Sequence, residues 1–235
     1  MVITRYNLTA PRTVTFAFVS DLHGASNMPV IDAIENEAPD AVLVGGDFIH
    51  DDDNYRLGLD FLRLSAQKRP TFVSLGNHER KFSGDIVFLA RETGATVLDN
   101  ESTVFRGIAI GGLTSGHGRE QTSTGETPAP DLAFLRRFAE ADAFKLLLCH
   151  HPEYYPAHIR PLPVDLTLSG HAHGGQWRIF GRGVFAPGQG LFPKYTSGMY
   201  DGRLIVGRGI GNPIPVPRIF NKPELVVLRF APQEQ

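Results

Sequence analysis

Phe16-Ala17-Phe18-Val19-Ser20-Asp21-Leu22-His23 is an apolar run of β type that ends on a carboxylate and an imidazole two residues apart. The same construction recurs four times. Ala41 to Val44 leads to Gly45-Gly46-Asp47, Thr71 to Leu75 to Gly76-Asn77-His78-Glu79, Leu146 to Cys149 to His150, and Leu166 to Leu168 to Gly170-His171-Ala172-His173. Strands that end together deliver their terminal side chains to one edge of a sheet, where open α/β folds put their sites. That edge would gather two carboxylates, a carboxamide and at least four imidazoles. Oxygen and nitrogen donors without thiolate suit hard or borderline metal ions, and the set is large enough for two.

Between these runs the first half alternates strand and helix. Val14 to Val19 reads as a buried strand, Pro29 to Ala38 as a helix capped by Ser26 or Asn27, and Asp40 to Val44 as the next strand. Leu57, Phe61, Leu62 and Leu64 recur at helical spacing within Tyr55 to Gln67, before the strand at Thr71. A third helix is expected from Ser83 to Thr93, ended by Gly94. Short strands follow at Thr96 to Leu98, Ser102 to Phe105 and Ile108 to Ile110, then a Gly/Ser/Thr/Pro-rich loop, expected to be mobile, from Thr114 to Pro130. A helix from Asp131 to Ala143 leads to the strand Lys145 to Cys149. Beyond Leu168 the chain turns β-rich, with strands at Gln176 to Phe180, Arg203 to Val206 and Glu224 to Phe230.

The five clusters, in this order, resemble the signature of the calcineurin-like metallophosphoesterase superfamily: Asp-x-His, Gly-Asp, Gly-Asn-His-Asp/Glu, a lone His, and Gly-His-x-His. The resemblance runs from about Phe16 to Phe230. Residues Leu168 to Gln176, Lys194-Tyr195, Gly198 to Tyr200, Gly207 to Gly211 and Pro223 to Leu225 look like a subfamily of bacterial phosphodiesterases that often carry an N-terminal membrane anchor or export signal. Helices outside two sheets fit the fold that this likeness implies, a four-layer α/β/β/α sandwich of two mixed β-sheets flanked by helices. With no long linker and no internal repeat, residues 1–235 are expected to form one domain.

The resemblance also implies a ligand set. Asp21, His23 and His173 would hold one metal ion, and Asn77, His150 and His171 the other, with Mn²⁺, Zn²⁺ or Fe all acceptable to these donors. Two dications about 3.5–4 Å apart repel, so an anion must hold them together. Asp47, the sole carboxylate of its cluster, is the candidate bridge. Such a centre binds a hydroxide between its ions and neutralises phosphoryl oxygens, which answers the difficulty of an anionic nucleophile attacking an anionic ester. His78 sits beside a ligand but diverges from it in the turn. It is assigned to stabilise phosphoryl oxygens or protonate the leaving alkoxide. Glu79 is expected to orient His78 or His150.

Several other residues have bland readings beside the sharp ones. His158 reads as structural and His117 as solvated, whereas His50, three residues past Asp47, stands between a structural and a site role. His151 competes with its neighbour, but strand alternation sends the two to opposite sides, and the family pattern takes His150. Asp51-Asp52-Asp53 reads as a helix cap and dipole complement rather than a Ca²⁺ loop. Arg208 is a candidate for substrate contact. Phe185, Leu191 and Phe192 form either an apolar lip for a lipid tail or core packing, and core packing is the reading taken.

A formal charge of −2 offers no footprint for tight nucleic-acid binding. No stretch approaches the roughly 18 apolar residues of a membrane span, and the start lacks the features of a signal peptide. Cysteine 149 has no partner for an internal disulfide. A cytoplasmic protein is expected, with peripheral membrane association open, although a chain trimmed of a leader would read the same. The expected activity is a metal-dependent phosphodiesterase acting on a small-molecule or lipid-linked phosphoester. The alternatives are a phosphomonoesterase, a hydrolase of a lipid-linked pyrophosphate of the UDP-diacylglucosamine type, and a non-catalytic interaction platform, which would predict decayed ligand positions where this chain has them filled.

Overall fold

Alternation along the first quoted strand decides the layering, because Phe16 and Phe18 point one way while Ala17 and Val19 point the other, and all four are buried. A strand buried on both faces needs a layer above and a layer below. The computed structural model describes residues 1–50, 53–116, 127–212 and 214–233 and supplies both layers. Two large sheets use β1 (Val2–Thr9), β2 (Val14–Val19), β3 (Ala41–Gly45), β4 (Thr71–Ser74), β5 (Thr96–Val97), β6 (Glu101–Phe105), β7 (Ile108–Leu113), β8 (Phe144–Cys149), β9 (Leu166–Ser169), β10 (Gly198–Tyr200), β11 (Leu204–Val206) and β12 (Glu224–Ala231).

The first sheet has the order β1-β12-β2-β3-β4-β5, and the second β10-β11-β9-β8-β7-β6. Strands β2 to β5 are parallel, as are β7, β8, β9 and β11, while β12 runs antiparallel to β2. Both sheets are therefore mixed. Helices α1 (Asn27–Glu37), α2 (Tyr55–Lys68) and α3 (Ile86–Arg91) cover the first sheet, and α4 (Leu132–Ala139) covers the second.

Three apolar cores fill the three gaps between four layers. Val19, Val42, Val44 and Val73 meet Ile31, Ile34, Phe61 and Leu62 on the helical side of the first sheet. Phe16, Phe18, Leu43 and Phe72 meet Leu146, Leu148, Leu168 and Ile205 between the sheets. Leu147, Cys149 and Val206 meet Phe134, Leu135, Phe138 and Tyr155 on the far side. The expected α/β/β/α sandwich is the fold observed. Removing a ring from the central layer, such as the fully buried Phe16, costs about 3–5 kcal/mol.

The differences from expectation have local causes. Strand β1 is half-exposed and pairs in parallel with β12 more than 200 residues away, so nothing near it in sequence announces it. Helix α3 is shorter than expected because the carboxylate of Asp85 accepts the Phe88 amide and caps it there. Helix α4 starts on an Asp131 cap and stops at Ala139, since the chain must turn to enter β8. Of the expected strand from Gln176 to Phe180, Arg178–Ile179 pairs in a short ribbon with Arg182–Gly183, and Trp177 forms an isolated bridge with Ile219. Residue 54 is the cap of α2; Asp51, Asp52, His117 and the central part of the Thr114 to Pro130 loop lie outside the described residues.

Candidate metal centre

Because β2, β3 and β4 are parallel in one sheet, and β8 and β9 in the other, their C-terminal ends meet on one side of the sandwich. The loops leaving those ends are tied to one another across the two sheets. Amide hydrogens run from Asp21 to the Gly46 carbonyl (3.0 Å), from His23 to Asp47 (3.3 Å) and from Gly170 to His150 (3.1 Å). The His171 amide donates to Asp21 Oδ1 at 3.0 Å, joining the last cluster to the first.

Four groups of ligand atoms result among the described residues, and two of them combine the expected carboxylates and imidazoles. Asp21, His23 and His173 form one, and Asp47, His150 and His171 the other; within each, the atoms lie within 4.8 Å of one another. The Nε2 of His173 is 3.5 Å from Asp21 Oδ1, and that of His150 is 3.1 Å from Asp47 Oδ2. Neighbouring ligands on a metal with bonds of about 2.0–2.2 Å stand at comparable separations. Asp21, Asp47 and His150 are wholly or almost wholly buried. Both ring nitrogens of His23 and Oδ1 of Asn77 are buried with no hydrogen-bond partner among the described residues. Buried polar atoms are normally satisfied, so these orphans are what a cation would satisfy. The donor set fits divalent metal ions.

The tautomers agree in part. Nδ1–H of His150 donates to the Gly45 carbonyl at 2.8 Å, which leaves Nε2 to face Asp47. Burial disfavours charge on His150, but the carboxylates of Asp47 and then Asp21 outweigh it and push the ring up to about 10, so an incoming ion must displace a proton there. Burial takes His23 down to about 3 and His173 down to about 4, leaving both neutral. At His173 the guanidinium of Arg218 reaches Nδ1 at 3.1 Å and can only donate. Binding through Nε2 therefore requires that contact to rearrange. No sequence motif pointed to Arg218, whose side chain is also anchored on the carbonyls of Arg208, Gly209 and Gly211.

Backbone geometry marks the same residues. Asp21, His23, Asp47, His171 and His173 all adopt left-handed φ, between 44° and 65°. Such conformations cost about 1 kcal/mol or more each for residues other than glycine and cluster where function over-determines the backbone. Gly46 has φ of 88°, as a tight turn would require. Gly76 needs space instead, because a Cβ there would stand 2.2 Å from Asp47 Oδ1.

An open cleft of about 260 Å³ exposes this centre, with Asp47, Asn77, His78, His171 and His173 in its wall. The ring of His78 leans on the His50 carbonyl through Nδ1, stacks on the His50 ring at 5.3 Å, and holds Nε2 3.9 Å from Asp47 Oδ2. His50 thus lies in the cleft. Among the described residues Glu79 hydrogen-bonds to no imidazole; its carboxylate accepts the amides of Asp47 (2.8 Å), Gly76 (2.7 Å) and Ile49 (3.0 Å). It orients the loops rather than a ring. Burial, then the charge of Asp47, push its carboxyl up to about 7. The His151 ring stands 4.2 Å from that of His171 and 5.3 Å from that of His150, and His151, Glu153 and His171 form a further group of ligand atoms beside the second. Arg208 turns away to Glu224, 3.9 Å off. Lys81 in the cleft wall went unnoticed in the sequence. Phe185, Leu191 and Phe192 are exposed, which corrects the core-packing reading: Phe185 and Leu191 pair across a short β-ribbon, and Phe192 directly follows it.

The calcineurin-like phosphoesterase family model matches residues 14–175, and the chain belongs to that family. It is 31% identical over 236 residues to phosphodiesterase YaeI of Escherichia coli (strain K12), covering 91% of this chain and 80% of that protein. It is 31% identical over 210 residues to the uncharacterized metallophosphoesterase YkuE of Bacillus subtilis (strain 168), covering 84% and 70%. A 30% identity over 236 residues links it to the uncharacterized metallophosphoesterase Cj0846 of Campylobacter jejuni, of which the chain spans 59%. The family is one of metal-dependent hydrolases. Among the described residues, no helix is long and apolar enough to cross a membrane.

Proposed function

We propose that the chain is a phosphodiesterase with a dinuclear metal centre. The observation that carries this reading is the pair of buried ligand groups, Asp21/His23/His173 and Asp47/His150/His171, facing one cleft. Two divalent ions bound there supply Lewis acidity toward phosphoryl oxygens and a water activated at neutral pH. Asp47 is the bridge between the two groups. In support, its Oδ2 stands 3.1 Å from His150 and 3.7 Å from His23, one imidazole of each group. Asp21 Oδ1 also faces both groups, but at 3.9 Å from His150, and Asp21 Oδ2 is engaged by the Ser20 hydroxyl at 2.6 Å. Asn77 adds a neutral oxygen to the second group. His78, aimed into the cleft and steadied by the His50 carbonyl, donates to a phosphoryl oxygen or to the leaving alkoxide.

Two carboxylates leave two positive charges on a site holding two dications, which an activated water and a monoanionic diester bring near neutrality. That balance and the similarity to YaeI, named a phosphodiesterase, favour diesters. A monoester reading has Lys81 in its favour, a cation in the cleft wall that could meet the second charge of a dianion. The Mn²⁺-loaded protein is expected to hydrolyse an aryl diester with higher kcat/KM than the matched monoester. Equal or faster monoester turnover across several metals would move it to the phosphatases. Asp47→Ala is expected to lose both ions by elemental analysis, and a variant that keeps two per chain would refute the bridge.

A further inference from the structure

Eleven of the seventeen exposed large apolar side chains among the described residues fall between Trp177 and Phe220. Backbone pairing brings several of their segments side by side. Trp177 pairs with Ile219 as an isolated bridge, the Trp177 indole donates to the Pro217 carbonyl at 3.0 Å, and amide hydrogen bonds link Val184 to Trp177 and Phe192 to Val184. The surface reaches the mouth of the metal cleft, where Phe185 and Ile214 form part of the wall.

Three rings in it are held in an unusual way. Phe180, Phe192 and Phe220 are 101%, 78% and 87% exposed, and each has left-handed φ, 48°, 50° and 52°. A turn needing that conformation is met at lower cost by Gly or Asn. Each ring thus carries backbone strain and exposed apolar area together, and neither helps the fold. Strain of this kind points to a use outside it.

Charge identifies the partner. Residues 176–222 contain seven Lys or Arg and a single acidic residue, Asp201, whereas the rest of the chain contains sixteen Lys or Arg and twenty-four Asp or Glu. Arg182 and Lys194 stand with Phe192 around one hollow, and Lys222 follows Phe220; all three cations are exposed. Apolar rings at turn tips, set among cations on a chain that is otherwise acidic, match the interface of an anionic bilayer. Aliphatic neighbours such as Leu191 and Ile219 fit acyl chains better than stacked bases.

We propose that this face docks on an anionic lipid surface, with Phe180, Phe192 and Phe220 entering the headgroup boundary and Arg182, Lys194 and Lys222 meeting the headgroups. The cleft then opens beside the membrane. Co-sedimentation of the full metal-loaded chain with phosphatidylglycerol/phosphatidylcholine vesicles tests it, and needs no substrate, so the result is independent of which ester is hydrolysed. Wild type is expected to pellet with anionic vesicles, to bind pure phosphatidylcholine at least about tenfold more weakly, and to be released by high salt. The triple variant F180N/F192N/F220N should lose about tenfold or more of its partition per ring while its melting temperature and its turnover of a soluble aryl diester do not fall. The charge variant R182E/K194E/K222E should lose anionic-vesicle binding as well. Wild type remaining in the supernatant, or either variant pelleting as wild type does, would overturn the proposal. So would a wild-type oligomer that the triple Asn variant dissociates without any vesicle binding, which would assign the face to a protein partner.

Discussion

Glu79→Gln and Glu79→Ala form a graded test of how the ligand loops are held. The buried carboxylate accepts three backbone amides, from Asp47 and Gly76 on Oε2 and from Ile49 on Oε1. Replacing it by alanine leaves three buried N–H groups unpaired at about 1–3 kcal/mol each, so roughly 3–9 kcal/mol in all. That is a large part of the about 5–15 kcal/mol by which a protein is stable. Glutamine keeps the shape: its oxygen can accept from Asp47 and Gly76, while its NH₂ meets the Ile49 N–H donor to donor. One bond of the three is lost, about 1–3 kcal/mol. At about 2–4 °C per kcal/mol for a chain of this length, Gln should lower Tm by about 2–12 °C and Ala by more, up to failure to fold. The two amides anchored on Oε2 belong to Asp47 and to the residue before Asn77, so Gln should also weaken metal binding about 10–100-fold. Thermal melts with metal titration read both effects. An alanine variant melting within about 2 °C of wild type with its metals retained would show that these bonds do not hold the loops.

His78→Ala is expected to keep its metals and to lose about 10²–10⁴-fold in kcat on an aryl diester, with kcat/KM falling in step; loss of metal instead would make His78 a ligand. His150→Ala, which removes the imidazole 3.1 Å from Asp47, should drop one ion per chain by elemental analysis, whereas His151→Ala, whose ring packs on that of His171 at 4.2 Å, should keep the count. The opposite result would exchange the two roles. Chelation should lower Tm, because the ions offset two buried carboxylates and five left-handed ligand residues. Metal at a thousandfold excess over Kd contributes about 4 kcal/mol, so the shift is roughly 8–16 °C and reverses on adding Mn²⁺. A melt indifferent to chelator would uncouple the centre from folding.

Local sequence pattern decided the layers and which donors would stand together. Strand alternation such as Phe16 and Phe18 against Ala17 and Val19 is a local property, and so is the presence of donors directly after each apolar run. Once parallel strands share a sheet, donors at their ends must meet, which is why Asp21, His23, Asp47, Asn77, His150, His171 and His173 could be read in advance. Residues whose roles depend on distant partners could not. Glu79 looked like a partner for a ring until three amides from two loops closed on it. Arg218 lies 45 residues from His173 in sequence, and β1 finds its place only beside a strand at the other end of the chain. The exposed rings at Phe180, Phe192 and Phe220 carry the same apolar signal as a core residue. Hydrophobicity is a property of the side chain, but burial is a property of what the fold puts over it, and the described residues leave these three rings largely exposed.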